Sequence, residues 1–279
     1  MKQWILAVLL IFGHFANAQG ILCAPEDRKA FDNKIQDLKT IPSQDTGELL
    51  VEIGKTFIGT PYVAGTLEVS EIESLVINFS GLDCTTFVEN VLAFGILFKN
   101  GSPDFDRYTE LLRRIRYRNG QISGYASRLH YFSEWITNNE QKGLVKNITP
   151  SIGGVRIEKA RDFMTVHREL YPHLESSENY KEMIQIEKAL LEQPLYYLPK
   201  KELASHEKNI QHGDIIALAT GIKGLDVTHT GIASREADGR IYLLHASSKG
   251  QVELSKAPLT EYLAGIKSNT GILVARPTF

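Results

Sequence analysis

Cys84 stands in Asp83-Cys84-Thr85-Thr86-Phe87, and the residues around it set what its sulfur can do. Leu75, Val76, Ile77 and Phe79 precede it, and Phe87, Val88, Val91, Leu92 and Phe94 follow. The second set has helical spacing, which predicts a helix whose first turn holds the cysteine. A thiol there sits among unpaired backbone N–H groups at the positive end of the helix dipole. Both favour the thiolate, which is the nucleophilic form. The plain alternative is a small buried hydrophobe. A cysteine nucleophile also needs a base within hydrogen-bond reach and a third group to orient that base. His229 lies in Thr228-His229-Thr230-Gly231-Ile232-Ala233, and His245 in Leu243-Leu244-His245-Ala246-Ser247. Both stretches read as strands. Neighbouring strands run ~4.8 Å apart, so pairing lets the imidazoles hydrogen-bond, with His229 as base and His245 fixing its tautomer. Singly, each histidine reads as a half-buried surface residue. Together with Cys84 they point to acyl chemistry at a thiol.

These residues are positioned by two kinds of element. Helices are expected over 26–38, 47–58, 84–98, 106–118, 128–138, 158–169 and 178–191, from apolar spacing and from breakers such as Gly59-Thr60-Pro61 and Asn100-Gly101. A short extended segment covers 75–79. From Gly213 onward the pattern changes to short β-branched runs at 214–219, 228–234, 241–246, 251–254 and 271–275, with a short helix at 258–263. Ala237-Asp238-Gly239-Arg240 is a hairpin signal between the two histidine strands. Helices first and an antiparallel meander afterwards make an α+β fold with segregated elements.

The N-terminus gives the compartment. Met1-Lys2-Gln3 is a short basic start, Trp4 to Phe12 an apolar run, and Ala16-Asn17-Ala18 a small-x-small cleavage site. This is the layout of a secretory signal peptide over residues 1–18, with an apolar run too short to span a bilayer. The expected mature chain, residues 19–279, is exported and periplasmic or otherwise extracytoplasmic. A lipid anchor on Cys23 is disfavoured by Leu22 before it, and a Cys23–Cys84 disulfide would tie down only a tail. The chain is 43% hydrophobic and 23% charged, with a formal charge of −2. That is ordinary globular composition without the basic field of a nucleic-acid binder. No phosphate loop, dinucleotide fingerprint or H-E-x-x-H pattern occurs, so no cofactor and no metal is expected.

The sequence resembles the NlpC-type papain-like superfamily of bacterial cell-wall amidases and peptidases. Gly59-Thr60-Pro61-Tyr62-Val63-Ala64-Gly65 resembles the family's glycine–proline–tyrosine loop, and Asp83-Cys84-Thr85-Thr86-Phe87-Val88 its Asp-Cys-Ser-Gly nucleophile motif. Gly213-Asp214-Ile215-Ile216 resembles the start of its first core strand. His229-Thr230-Gly231-Ile232 and Leu244-His245-Ala246 resemble its two histidine strands. The resemblance implies N-terminal helices packed on an antiparallel sheet or half-barrel. It also implies Cys84 as nucleophile, His229 as base and His245 as third residue, with Tyr62 and Asp83 supporting the site and the oxyanion. Thr85-Thr86 departs from the usual Ser-Gly. A large, mostly helical insertion, about 102–204, separates the nucleophile helix from the core sheet.

Within that insertion, Tyr117-Arg118-Asn119-Gly120 and Tyr125-Ala126-Ser127-Arg128-Leu129-His130-Tyr131-Phe132 resemble a branch grouped with N-acetylmuramoyl-L-alanine amidases. Arg107, Arg113, Arg114, Arg116 and Arg118 read mostly as a solvated helix face. Arg128, His130 and Tyr131 are candidate substrate contacts, crowded with aromatics suited to a sugar. The resemblance implies hydrolysis of the bond between muramic acid and L-alanine in muropeptides. A stem-peptide endopeptidase with the same residues stays open, as does a non-catalytic wall-binding module.

Overall fold

The computed structural model describes residues 20–41, 45–101 and 103–279. The expected signal peptide, residues 1–18, lies outside the described residues. In chain order the elements are β1 (Ile21–Cys23), α1 (Pro25–Leu38), α2 (Thr46–Lys55), β2 (Leu75–Ile77), α3 (Cys84–Lys99), α4 (Phe105–Arg116) and α5 (Phe132–Gln141). Next come β3 (Val145–Asn147), β4 (Val155–Ile157), α6 (Phe163–Val166), α7 (Ser177–Leu191), β5 (Leu195–Pro199) and α8 (Leu203–His206). The chain ends with β6 (Ile215–Thr220), β7 (Val227–Arg235), β8 (Ile241–Ala246), β9 (Val252–Leu254), α9 (Leu259–Ala264) and β10 (Asn269–Pro277).

Helix α3 is the centre of the molecule. Every residue from Thr86 to Leu97 is buried, and a helix that is apolar almost all round must be enclosed on all sides. It packs against α2, α4 and one face of an eight-stranded sheet whose main path is β4-β5-β10-β6-β7-β8-β9, with β3 paired to β10. The pairings within that sheet are antiparallel. Alternation along the strands divides the core. Ile215, Ala217, Ile232 and Leu244 join α1–α5 on one face, whereas Ile216, Leu218, Ala233 and Leu243 meet Leu259 and Leu263 of α9 on the other. The mixed helix and antiparallel-sheet architecture is the one expected.

Several local expectations are corrected. Residues 128–131 are not helical, because Gly124 at φ 104° opens a tight turn and Arg128 then bridges Tyr117 in extended conformation. Helix α5 starts only at Phe132. The segment 158–169 holds only the four-residue helix α6 and the start of a 3-10 turn at Arg168–Leu170. The insertion is also less helical than expected. It contributes β3, β4 and β5, which lengthen the same sheet, so it is built into the sheet's edge rather than set apart from it.

Arg116 is the largest departure on α4. It was expected on a solvated face, yet its side chain is 2% exposed and pairs with Glu89 of α3 at 2.7 Å. Its Nη1 also donates to the carbonyl of Val76 at 2.7 Å. A buried charge is tolerable when it is both paired and hydrogen-bonded.

Candidate active site

The N-terminus of α3 explains the residues around Cys84. Asp83 is the N-cap, and its carboxylate accepts from the Thr86 N–H at 2.7 Å. The Thr86 hydroxyl accepts from the Asp83 N–H at 2.9 Å, which closes a reciprocal capping box. Thr86 stands where the resembled motif carries a small residue, and its hydroxyl is what completes the cap. Cys84 is the first helical residue, so its own N–H has no partner within the helix. Cys84 and Cys23 are both free thiols.

Strand β7 meets this helix end. The Thr230 hydroxyl donates to the Cys84 carbonyl at 2.8 Å. One residue earlier, His229 Nε2 lies 2.6 Å from His245 Nδ1 on β8, with the rings nearly perpendicular. A register shift places Leu218 opposite His229 but Ala219 opposite Val227, leaving Thr228 as an extra residue in β7. Such a bulge re-aims the side chains next to it. The ring pair also depends on Gly231. The β7–β8 register, continued from Ile232 opposite Leu244, sets Gly231 against His245, and a Cβ there would lie 3.0 Å from the His245 Cβ. Tyr262 of α9 stands edge-on to His245, with ring centroids 5.4 Å apart.

The tyrosine loop closes the third side. The Tyr62 N–H donates to Gly250 in the β8–β9 turn at 2.8 Å, and Val63 and Pro61 exchange bonds with Leu82, just before the cap. Burial raises the Tyr62 phenol, and the nearby Cys84 and Asp83 charges raise it further. Tyr62 therefore shares the electrostatic neighbourhood of the thiol and stays protonated.

Electrostatics at the site run against the simple helix-dipole expectation. Burial, and then the Asp83 carboxylate, push the Cys84 thiol up to about 11, while hydrogen bonds from Thr230 and Thr85 act the other way. The dipole favours thiolate, but desolvation of the charged form outweighs it here. Burial, followed by His245, pulls His229 down to about 3, and burial pulls His245 down to about 4 despite Glu253. At neutral pH these shifts leave the Cys84 thiol and both imidazoles uncharged.

The three residues expected to contact substrate are turned inward. Arg128, 7% exposed, donates to Glu68 at 2.7 Å and lies 3.5 Å from the buried Glu73. His130 Nε2 bonds the Tyr125 carbonyl at 2.9 Å. The Tyr131 hydroxyl donates to Glu187 at 2.8 Å and accepts from the Met164 N–H at 3.0 Å. Each of the three thus has at least one internal partner and a structural role, although Arg128 Nε keeps no hydrogen-bond partner among the described residues. Arg128 in particular fastens residues 68–73, the loop between Tyr62 and β2, to the insertion. The Tyr117 hydroxyl adds a bond to Glu73 at 2.8 Å, and His173 one to Glu68 at 3.0 Å. Arg128→Met should lower stability by about 3–5 kcal/mol, because it strands buried carboxylate charge. Adding Glu73→Met should restore part of that loss in chemical denaturation; a single-variant loss under about 1 kcal/mol, the worth of a surface pair, would remove Arg128 from this role.

Sequence reading missed Thr230, Gly231, Thr85 and Tyr262. Only the first two carried a signal, as a hydroxyl and a glycine adjoining a strand histidine. Among the described residues, no group of three or more His, Cys, Asp or Glu is arranged to hold a metal ion, and no helix is long and apolar enough to cross a membrane.

A family model described as N-acetylmuramoyl-L-alanine amidase-like matches residues 52–272. The chain is similar to the crystal structure of an N-acetylmuramoyl-L-alanine amidase from Bacteroides uniformis, at 40% identity and a TM-score of 0.80, covering 84% of this chain and 99% of that one. It is also similar to a Bacteroides fragilis protein provisionally named a xylanase, at 44% identity and a TM-score of 0.76, over 80% of this chain and 98% of that one. A Legionella pneumophila protein, 20% identical with a TM-score of 0.68, shares the fold over 91% of this chain and 96% of its own. A search of curated proteins found no match.

Proposed function

The chain belongs to the N-acetylmuramoyl-L-alanine amidase-like family, and from that premise we propose that it is a cysteine amidase with a papain-like core. Its substrates are peptidoglycan fragments, and the bond it hydrolyses joins the muramic lactyl group to L-alanine, as in anhydro-muropeptides of wall turnover. Residues 1–18 direct export, and residues 19–279 form one domain carrying the insertion. The observation that carries the reading is that a single strand, β7, supplies two adjacent contacts. Thr230 tethers Cys84 at 2.8 Å, and His229 bonds His245 at 2.6 Å. A xylan-cleaving reading has less support, since glycoside hydrolysis generally draws on a pair of carboxylates and Asp83 is committed to the helix cap.

In this mechanism the Cys84 sulfur attacks the amide carbonyl as His229 takes the thiol proton on Nδ1. Negative charge builds on the carbonyl oxygen, where the free Cys84 N–H and the Tyr62 hydroxyl are the donors. His229 then gives its proton to the departing amine, leaving an acyl group on Cys84. Water, deprotonated by His229, releases the acid and restores the thiol. For Nδ1 to be the base, His229 must carry its resting proton on Nε2 and donate it to His245 Nδ1. The proton of His245 is then on Nε2, a buried atom with Glu253 opposite it on β9. Proton transfer and attack are coupled, because the resting pair is neutral.

That neutrality has a measurable sign. A thiol whose value is raised to about 11 reacts with iodoacetamide at a rate that follows its small thiolate fraction. Alkylation of the free enzyme should therefore keep rising with pH from neutrality into the alkaline range. A rate already level near pH 7 would mean a preformed thiolate–imidazolium pair and would contradict the neutral resting state.

A further inference from the structure

A cavity of about 570 Å³ opens between α9 and the β8–β9 turn, and Lys249, Gly250, Gln251, Glu253, Lys256 and Tyr262 are among its walls. It adjoins the proposed site on two sides. Tyr262 is the ring that stands edge-on to His245. Burial, then Glu253 and then Cys84 raise its phenol, so this wall of the cavity lies within electrostatic reach of the thiol. On the other side, Gly250 accepts the Tyr62 N–H at 2.8 Å and Gln251 bridges Pro61, so the tyrosine loop borders the same space. Glu253 is paired directly opposite His245. Residues opposite one another in an antiparallel pair present their side chains to the same face, so the cavity lies on the face that carries the imidazoles.

The charges on these walls are uncommitted. Lys249 and Lys256 are exposed and Glu253 is half-buried. Among the described residues, none of the three side chains forms an ion pair or a hydrogen bond. Lys249 stands in the turn before β9, Lys256 just past the end of that strand, and Glu253 on the strand between them. Two ammonium groups against one carboxylate make the cavity positive, although the whole chain carries −2. Such walls favour a ligand with carboxylates for the lysines and an N–H donor for Glu253. A peptide supplies both. In the proposed substrate the lactyl carboxyl is consumed in the amide, so the sugar half is uncharged and the acidic groups all lie on the peptide half.

We propose that this cavity receives the acidic peptide half of the substrate, with Lys249 and Lys256 taking its carboxylates and Glu253 an amide N–H. The proposal rests on the muropeptide reading for the identity of the ligand. The cavity is then the leaving-amine side of the thiol. Charge held there orients the scissile amide over Cys84, and it separates peptides with free carboxylates from those whose carboxyls are capped.

The test is calorimetric titration of the Cys84→Ala protein with N-acetylmuramoyl-L-alanyl-D-glutamic acid and with its diamide, in which both carboxyls are capped. The diacid should bind more tightly than the diamide by about tenfold, the scale of two exposed ion pairs together. Adding Lys249→Ala and Lys256→Ala should erase that margin, and raised salt should narrow it. Lys181→Ala, the same change of charge on α7, should leave it intact. Equal binding of the two ligands, a margin that survives the loss of both lysines, a margin that Lys181→Ala also abolishes, or no saturable binding of the diacid at millimolar concentration would each overturn the proposal. Failure of the amidase reading looks different: the parent protein leaves the diacid uncut while the titration still shows the margin.

Discussion

Cys84→Ala is expected to bring amide hydrolysis down to the level of the imidazoles and oxyanion donors alone, a loss of about 10⁴-fold or more by analogy with other nucleophile deletions. The fold should survive. Cys84 contributes its backbone to the helix cap and to the Thr230 tether, and alanine keeps both. Circular dichroism and melting temperature should match the parent protein, so lost turnover would report chemistry rather than unfolding. Cys84→Ser is the sharper companion. Its hydroxyl is a far weaker nucleophile beside a base held as low as about 3, so it too should be nearly inactive. Wild-type turnover in either variant would remove Cys84 from the mechanism.

The second large effect is expected from a residue that takes no part in chemistry. A Cβ on Gly231 would sit 2.7 Å from the Leu244 carbonyl oxygen, 2.8 Å from Leu243 Cδ1 and 3.0 Å from His245 Cβ. The first of these is backbone, so the clash cannot be relieved by a rotamer change. β7 and β8 must separate where His245 reaches across to His229. Gly231→Ala should therefore cost about 1–3 kcal/mol of stability through overpacking. It should also lower kcat/KM by about a hundredfold, the penalty of misplacing a catalytic group by about 1 Å. Ser234→Ala, also on β7 but away from the ring pair, is the control for general damage to the strand. A Gly231→Ala enzyme with wild-type kcat/KM would show that the imidazole bond at 2.6 Å does not set the rate.

Much of this architecture is legible in the sequence because it is local. Asp83 before an apolar run marks the start of α3, and the structure begins the helix at Cys84. The hairpin joining the histidine strands follows from Asp238-Gly239, where Gly239 takes φ 78°. What escaped is non-local. β3, β4 and β5 are three to five residues long and are strands only because partners distant in sequence are there, β10 for β3 and β5, and β5 in turn for β4. Arg116 looks like one more arginine on a charged helix until Glu89, 27 positions earlier, accepts from it. Arg128 was singled out for its chemistry, yet its partner Glu68 lies 60 positions away, across the nucleophile helix. The helix-dipole argument at Cys84 failed for a related reason. The dipole is written in the local sequence, while the burial that outweighs it comes from strands more than a hundred residues later.

The pattern assigns different duties to the two halves of the chain. The nucleophile helix and the C-terminal strands hold the proposed chemistry. The insertion braces the tyrosine loop through Arg128. Variants in either half should then separate: those at Gly231 act on turnover, and those at Arg128 act on stability.

The most direct test of the central claim is mass spectrometry of a defined N-acetylmuramoyl peptide after incubation with the protein and with Cys84→Ala. The parent protein should release the intact L-alanine-terminated peptide together with the free lactyl acid of the sugar, and the variant should release neither. Cleavage inside the stem peptide with the sugar still attached to L-alanine, or product formation by Cys84→Ala, would contradict it.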